Sequence, residues 1–138
     1  MMKIELDNGA YIPVRGHAED AGLDIRTPKT VTVYPEDSVT INTGVHVQIP
    51  LGYFGKLESK SGLHVNHGIV CHGGIIDSGY TGSIVVKLFN HGKKKYTFEQ
   101  GDKIVQLIIQ PCLLPTLEVV DELEDTERGD SGFGSTGL

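Results

Sequence analysis

Apolar and polar residues alternate over several short stretches of the chain. Because successive side chains of a β-strand point to opposite faces, a period of two predicts strands with one buried face. Turn sequences such as NTG, PLG, NHG and EQGD separate these stretches. The alternating apolar positions are Val31 and Val33, Val39 and Ile41, Val45, Val47 and Ile49, Ile84, Val86 and Leu88, and Leu117 and Val119.

One stretch, KIVQLIIQP at residues 103–111, is apolar on both faces and predicts a central strand that ends at Pro111. Gln106, an amide inside this strand, must find a hydrogen-bond partner. Six prolines and 18 glycines leave few windows for a long helix. Many short strands at close spacing predict an all-β fold, either a sandwich or a barrel. The turn signal after Asp77 predicts that this residue lies at the tip of a β-hairpin.

The composition is typical of one soluble domain. At 138 residues the chain is long enough to bury a core, and its net charge of −6 argues against a general nucleic-acid binder. Two cysteines, Cys71 and Cys112, do not make a disulfide framework, and no stretch has the length and hydropathy of a signal peptide or a membrane span. We therefore expect a cytoplasmic protein that binds neither nucleic acid nor membrane.

The C-terminal residues differ from the rest of the chain. An acidic run, DELEDTE at 121–127, precedes the glycine-rich RGDSGFGSTGL at 128–138. Together they predict a flexible arm, residues 121–138, attached to a β-sandwich core of residues 1–120. GFGSTG has the G-x-G-x-x-G spacing of dinucleotide-binding loops. However, only Leu138 follows it in this sequence, so we do not expect the helix that such a loop needs for phosphate.

Residue types that bind zinc are concentrated in HVNHGIVCH, which contains His64, His67, Cys71 and His72. Their spacing matches none of the usual zinc arrangements, and neighbouring residues of a strand point to opposite faces. We interpret these residues as surface histidines and a small buried thiol, not as a metal site.

Two further segments contain residues suited to nucleotide chemistry. Asp77 is either a solvated turn residue or a general base at the rim of a pocket, where desolvation tunes its pKa. Tyr80, across the same turn, either packs in the core or on the rim, or covers a ligand. Ser61 and Gly62 beside Lys60 suit a phosphate, although such loops are also ordinary turns.

The order of these segments resembles the motif order of one enzyme family. Five motifs of the trimeric dUTPase family are matched in sequence, from about residue 18 to the C-terminus. The resemblance implies a distorted jelly roll that assembles as a homotrimer, with three active sites at subunit interfaces. It also implies hydrolysis of dUTP to dUMP and pyrophosphate, with Mg²⁺ on the triphosphate. The matching segments are AGLDI (21–25), KSGL (60–63), GIIDSGYTG (74–82), GDKIVQLI (101–108) and RGDSGFGSTG (128–137).

The resemblance also implies roles for single residues. Asp77 would orient and deprotonate the water that attacks the α-phosphorus. Tyr80 would lie under the deoxyribose and leave no room for a 2′-hydroxyl, while main-chain groups from Gly74 to Tyr80 and the following strand would recognise uracil. Asp24 would contact magnesium through water. The implied phosphate-binding residues are Lys60, Ser61, Gly62 and Gln106.

The C-terminal arm resembles a lid that closes over the nucleotide of a neighbouring subunit. Arg128 matches a phosphate-binding arginine, whose planar donor fork suits phosphate oxygens, and Phe133 matches the aromatic residue that stacks on uracil. Gly134, Ser135 and Thr136 match donors to the γ-phosphate. A mobile arm loses conformational entropy when it closes, and it offsets this loss by excluding water from the reacting phosphate.

Three positions depart from the family pattern. Lys60 replaces an arginine and lacks its bidentate fork, Ser131 replaces a glycine, and Gly79 replaces an acidic residue. These changes affect efficiency rather than activity, because none removes a group with a chemical role.

Two alternative functions are open on the same fold. A dCTP deaminase resembles the chain in IDSGY and LFN, but its catalytic glutamate falls at Lys87, and a cation cannot act as that base. Its Arg-Ser-Ser also falls where this chain has Lys60, Ser61 and Gly62. A nucleotide-gated binding or regulatory protein is the second alternative.

Overall fold

A computed structural model describes residues 2–132, which form eleven strands and one short helix. Every strand pairing among these residues is antiparallel. The all-β prediction is confirmed. The elements are β1 (Lys3–Leu6), β2 (Gly22–Arg26), β3 (Val31–Val33), β4 (Ser38–Asn42), β5 (Val45–Gln48), β6 (Tyr53–Ser59), α1 (Ser61–His67), β7 (Ile69–Cys71), β8 (Ile75–Ile76), β9 (Val85–Asn90), β10 (Tyr96–Phe98) and β11 (Lys103–Pro111).

The strands form two larger sheets and two pairs. One sheet has the order β2–β11–β6–β8 and the other has the order β4–β9–β7, while β1 pairs with β5 and β3 pairs with β10. As predicted, β11 is central, because it bonds to β2 on one side and to β6 on the other. Its register with β2 shifts between Lys103 and Val105, where a β-bulge interrupts the pairing.

The core is built from the inward-facing apolar residues of all four groups of strands. The alternation predicts this correctly for β5 and β9, where every second side chain is buried, and for β4, where Ile41 is buried and Val39 is partly buried. In β11, Ile104, Val105 and Leu107 are all buried, as its two-sided apolar sequence predicts. The remaining fully buried apolar residues include Ile25, Val33, Ile69, Ile84 and Phe98.

Three features differ from the prediction. Ser61–His67 form a helix, whereas the sequence favoured turns and strands there. Asp77 is not at a hairpin tip, because β8 pairs with β6 whereas β9 pairs with β4 and β7, so residues 77–84 cross from one sheet to the other. Leu117 and Val119 alternate with polar residues, yet within residues 2–132 no strand follows β11.

The segment after β11 packs against no other part of the described chain closely enough to be buried. Residues 113–131 are all exposed, including the apolar side chains of Leu113, Leu117 and Val119, each more than nine-tenths exposed. None of the helical segments among the described residues is long and apolar enough to cross a membrane.

Candidate active site

A cavity of about 300 Å³ lies where β8 ends and the crossing segment begins. Its walls combine apolar side chains that are otherwise exposed, such as Ile75 and Val85, with main-chain groups of the turn. This mixture suits a flat, partly polar ring, because the apolar walls supply contact area and the main chain supplies hydrogen bonds. The cavity brings together three residues selected from the sequence, and its lining consists of Gly74, Ile75, Ile76, Asp77, Tyr80 and Val85.

Asp77 and Tyr80 occupy the two ends of one β-turn. The Tyr80 N–H donates to the Asp77 carbonyl oxygen over 3.0 Å, and the Tyr80 hydroxyl donates to the Ser83 carbonyl over 2.9 Å. The second bond folds the ring back over the turn, close enough that a Cβ on Gly82 would clash with it. The Asp77 side chain is exposed, so the chain's own residues do not supply the desolvation expected for a general base.

Gly74 is required by packing as well as by its backbone conformation. Its φ of +104° is strained for other residues, and a Cβ there would lie 2.6 Å from the Leu57 Cβ. The Gly74 carbonyl accepts from the Leu57 N–H over 2.8 Å. The close approach of β6 therefore fixes one wall of the cavity.

A second group of predicted residues lies around Asp24 in β2. Both carboxylate oxygens are occupied: Oδ1 accepts from Lys60, and Oδ2 lies 2.7 Å from the Lys103 ammonium. Burial alone would raise the pKa of Asp24, but hydrogen bonds from Lys103 and Lys60 and their positive charges outweigh it and lower the pKa below its usual value. Asp24 is therefore a carboxylate that orients two cations.

Lys103 also belongs to the group around Asp24, which the sequence pattern did not indicate. It is three residues from Gln106, so in a regular strand the two side chains would face opposite sides of the sheet. The bulge between Lys103 and Val105 shifts this alternation. Asp24 pairs directly with Gln106 in the register, and Lys103 reaches the same carboxylate.

Gln106 has the hydrogen-bond partner that the sequence requires. Its Nε2 donates to the Ser59 carbonyl over 3.3 Å, next to Lys60. Gly22 lies against this amide, because a Cβ at Gly22 would come within 2.3 Å of the Gln106 Oε1. The glycine of AGLDI therefore makes room for the side chain of the fourth motif.

Ser61 and Gly62 form the first turn of α1, which Lys60 precedes with a φ of −77° and a ψ of 128°. Both residues are exposed, and the backbone N–H groups of a first helical turn have no partner inside the helix. A Cβ on Gly62 would meet open space, so packing within the chain does not require a glycine there.

The histidines and Cys71 of HVNHGIVCH do not converge. The His67 ring packs against Tyr96, and His72, just after β7, lies beside His91, just after β9. Burial, followed by the nearby Glu58 charge, raises the pKa of Cys71 to about 11, so this thiol is unreactive. Within residues 2–132 no three His, Cys, Asp or Glu side chains are placed to hold a metal ion.

The described part of the arm makes local contacts. The Arg128 Nε donates to the Ser131 carbonyl over 3.0 Å, and its side chain is exposed. The other arm residues selected from the sequence, Phe133, Gly134, Ser135 and Thr136, lie outside the described residues.

The two groups of site residues lie apart in one chain. Asp24 is in β2 and Gly74 precedes β8, the two edge strands of the β2–β11–β6–β8 sheet. Three strand spacings, about 14 Å, separate Asp24 from Gly74, whereas Lys60 follows β6, the strand next to β8. The lining of the cavity also does not include Lys60, Ser61, Gly62 or Gln106.

Comparison with known proteins gives one consistent result. A family model described as dUTPase matches residues 8–137. The deoxyuridine 5'-triphosphate nucleotidohydrolase of Mus musculus is 41% identical over 134 residues, which are 97% of this chain and 83% of that protein. The dUTPase of Staphylococcus bacteriophage 80alpha, solved with dUpNHpp, superimposes with a TM-score of 0.94 at 33% identity, covering 100% of this chain and 99% of that one. A variant dUTPase from phage phi11 of S. aureus, in which a structural Mg(II) ion is coordinated, has a TM-score of 0.84 at 31% identity over 91% of this chain and 99% of that one.

Proposed function

The chain belongs to the dUTPase family, and from this premise we propose that it hydrolyses dUTP to dUMP and pyrophosphate by attack of water on the α-phosphorus. The observation that carries this proposal is the cavity formed by Gly74, Asp77 and Tyr80 with apolar walls. It has the size and lining for a nucleoside, and it has a carboxylate at its rim.

Asp77 is the proposed general base. Its side chain is exposed at the edge of the cavity, where it can accept a proton from a water molecule that approaches the α-phosphorus. Tyr80 is proposed to lie under the deoxyribose. Its hydroxyl is already bonded to the Ser83 carbonyl, so the ring has a fixed position from which it can exclude a 2′-hydroxyl.

Lys60, Gln106 and the first turn of α1 are proposed to hold the α- and β-phosphates. Lys60 is oriented by Asp24 and the Gln106 amide by the Ser59 carbonyl, so both donors have defined positions before substrate arrives. We add Lys103 to this group, because it contacts the same carboxylate as Lys60. Either lysine can turn from Asp24 to a phosphate oxygen without leaving a charge unpaired.

Magnesium is proposed to arrive as part of the Mg²⁺–dUTP substrate complex, where it neutralises phosphate charge. A carboxylate oxygen is a suitable ligand type, but both oxygens of Asp24 already accept from lysines. Asp24 therefore fits the contact through water that the resemblance implies, and not direct ligation.

We propose a homotrimer whose sites combine residues of different subunits. The separation of the cavity from the Lys60–Gln106 group supports this, because one chain does not bring them around a single recess. The exposed segment 113–123 supports it too, since its apolar side chains need cover from another chain. Arg128 and the residues after it would then close over the nucleotide of a neighbour.

The cytoplasm is the proposed location. Both cysteines, Cys71 and Cys112, are free among the described residues, as expected of a protein in a reducing compartment.

The purified protein should hydrolyse dUTP and release pyrophosphate, and it should discriminate strongly against dCTP, dTTP and UTP. Pyrophosphate release distinguishes this reaction from deamination, which would give dUTP and ammonia from dCTP. If UTP is hydrolysed with a comparable kcat/KM, the position proposed for Tyr80 is wrong. If nucleotide binds without any turnover, the regulatory alternative is the better description.

A further inference from the structure

The crossing segment between the cavity and β9 is held by a histidine of β5. The His46 Nδ1 lies 2.8 Å from the Thr81 carbonyl oxygen, directly after Tyr80 in the chain. The His46 Nε2 lies 3.3 Å from Oδ1 of Asp7, at the end of β1. About a quarter of the His46 side chain is exposed, so the ring is a bridge between two elements and not a free surface group.

Other contacts fix the far end of the same segment. The Thr43 hydroxyl donates to the Ile84 carbonyl over 2.8 Å, and the Gly44 N–H donates to the Ser83 hydroxyl over 3.0 Å. These bonds hold the residues that enter β9. His46 instead holds Thr81, the residue next to Tyr80. A small displacement there would move the turn from Asp77 to Tyr80.

We propose that His46 is a positioning residue for the reaction, which anchors the Thr81 carbonyl and thereby fixes the turn that presents Tyr80 and Asp77 to the nucleotide. This proposal rests on the proposed function of that turn. It assigns to His46 no contact with substrate. Nothing in the alternation of β5 distinguishes His46 from an ordinary outward-facing polar residue, so its role follows from the three-dimensional contact alone.

Both partners of the ring are hydrogen-bond acceptors. A neutral imidazole has one N–H, so it can donate to the Thr81 carbonyl or to Asp7, whereas an imidazolium can donate to both. The Thr81 carbonyl, and then Asp7 and the charge of Glu5, which is opposite His46 in the β1–β5 pair, raise the pKa of His46 above its usual value against the effect of burial. The adjoining cleft is lined by Lys3 and Glu5 of β1, so these and Asp7 are the charged groups around the ring.

The sign of the resulting pH effect follows from these contacts. The pKa of His46 is raised in the folded protein. The ring that donates both hydrogen bonds is therefore fully present below the ordinary pKa of histidine, and it is lost as the pH rises through the raised pKa. Anchoring of Thr81 should therefore be firmest at mildly acidic pH and weaken above neutrality.

Three variants test the proposal: His46→Leu, which removes both bonds, His46→Gln, which donates to Thr81 at every pH, and Asp7→Asn, which removes the charge beside the ring. In His46→Leu we expect kcat/KM for dUTP to fall about 3- to 10-fold at pH 6.5, the loss expected for one hydrogen bond. The ratio of wild-type to variant kcat/KM, in which titration of the substrate cancels, should shrink toward pH 8.5. His46→Gln should recover most of the activity that His46→Leu loses. Asp7→Asn should move the midpoint of the pH dependence to lower pH.

His91→Gln is the matched control, because it removes an imidazole at the opposite end of β9 from the cavity. Its ratio to wild type should stay near one at all pH values. NMR titration of the His46 ring gives an independent readout, and its midpoint should lie above about 6.5 and fall in Asp7→Asn.

A folded His46→Leu protein with wild-type kcat/KM, or with a loss that does not change with pH, overturns the proposal. So does a His46 midpoint that is the same in Asp7→Asn. If the wild-type protein does not turn over dUTP, the proposed function and this proposal both fail. An active wild type with an unaffected His46→Leu variant overturns the positioning role alone.

Discussion

Lys103 and Asp24 form an ion pair, with 2.7 Å between the lysine Nζ and the carboxylate Oδ2. Lys60 contacts the other carboxylate oxygen, Oδ1. The Asp24 side chain is one-tenth exposed, whereas those of Lys60 and Lys103 are about a quarter and a third exposed, so the carboxylate is the best shielded of the three charges. Removing the carboxylate would leave two ammonium groups close together without their shared counter-charge. Such a loss costs more than the loss of a surface ion pair.

Asp24→Asn should lower the free energy of unfolding by about 1.5–3 kcal/mol at pH 7, the range for hydrogen bonds to charged groups. The folded pKa of Asp24 is lowered, so its contribution is present above the unfolded value of about 3.9 and declines as the pH falls through the folded one. The difference between wild type and variant should therefore shrink at pH 3. Urea unfolding at both pH values measures it.

Glu58→Gln is the control for Asp24→Asn. Glu58 also pairs with a lysine, Lys56, but both side chains are more than two-fifths exposed. Its loss should change the free energy of unfolding by less than about 1 kcal/mol. Equal effects of the two substitutions would contradict the distinction between the pairs.

Asp77→Asn should keep nucleotide binding and lose about 10²- to 10⁴-fold in kcat, the usual cost of removing a general base. Its carboxylate is exposed, and the turn uses its main-chain carbonyl, which the substitution retains. The fold should therefore be unchanged. Steady-state kinetics with dUTP and calorimetry with a non-hydrolysable analogue separate the two effects. A variant with near-native kcat would place the base elsewhere.

Gly22→Ala should disturb Gln106 without removing any polar group. The new methyl would lie 2.8 Å from the Gln106 Cβ as well as against its amide, so rotation of the side chain end alone cannot relieve the contact. We expect a loss of stability of about 1–3 kcal/mol, typical of overpacking, together with a lower kcat/KM for dUTP. Gly79→Ala, where the methyl meets open space, should leave the free energy of unfolding within about 0.5 kcal/mol of wild type.

The protein should sediment as a trimer of the 15.0 kDa chain. Leu117→Asp should weaken assembly, because Leu117 is 92% exposed in the single chain and lies in the apolar segment that another chain would cover. Leu51→Asp is the matched control, since Leu51 is 81% exposed in a turn outside that segment. A stable, active monomer would contradict the assembly and the shared sites.

Deleting residues 127–138 should leave stability unchanged within about 0.5 kcal/mol, because the described part of that segment makes only local hydrogen bonds among its own residues and Thr126. By contrast, kcat/KM should fall by more than in Phe133→Ala, which removes stacking worth roughly 1–3 kcal/mol. Unfolding curves and steady-state kinetics on both variants make the comparison. Retained activity in the deletion would mean that the arm does not cover the nucleotide.

The sequence predicts a strand best where its apolar pattern is compatible with only one environment in the fold. KIVQLIIQP is apolar on both sides and has the bounds of β11, since burial on two faces allows little besides a central strand. The helix at Ser61–His67 was missed because it has no apolar periodicity, no buried residue and no capping side chain. Its short length gives local propensity little weight against packing.

Other differences depend on pairings that the sequence does not specify. The hairpin predicted at Asp77 failed because β8 and β9 have partners in different sheets, and strand partners are a property of the whole fold. Lys103 was missed because a bulge, which has no signature in GDKIVQ, shifts the alternation of β11. Of the predicted site residues, Gly74, Asp77 and Tyr80 do meet at one cavity.

The separation of the cavity from the cationic group across one sheet has a genetic consequence. If each site draws on several subunits, two different defects need not coincide in the same site of a mixed assembly. A chain with Asp77→Asn still has its arm, and a chain truncated after residue 126 still has Asp77. Co-folding these two inactive chains should restore part of the activity, because some sites of a mixed trimer would take the Asp77 carboxylate from the truncated chain and the arm from the Asp77→Asn chain.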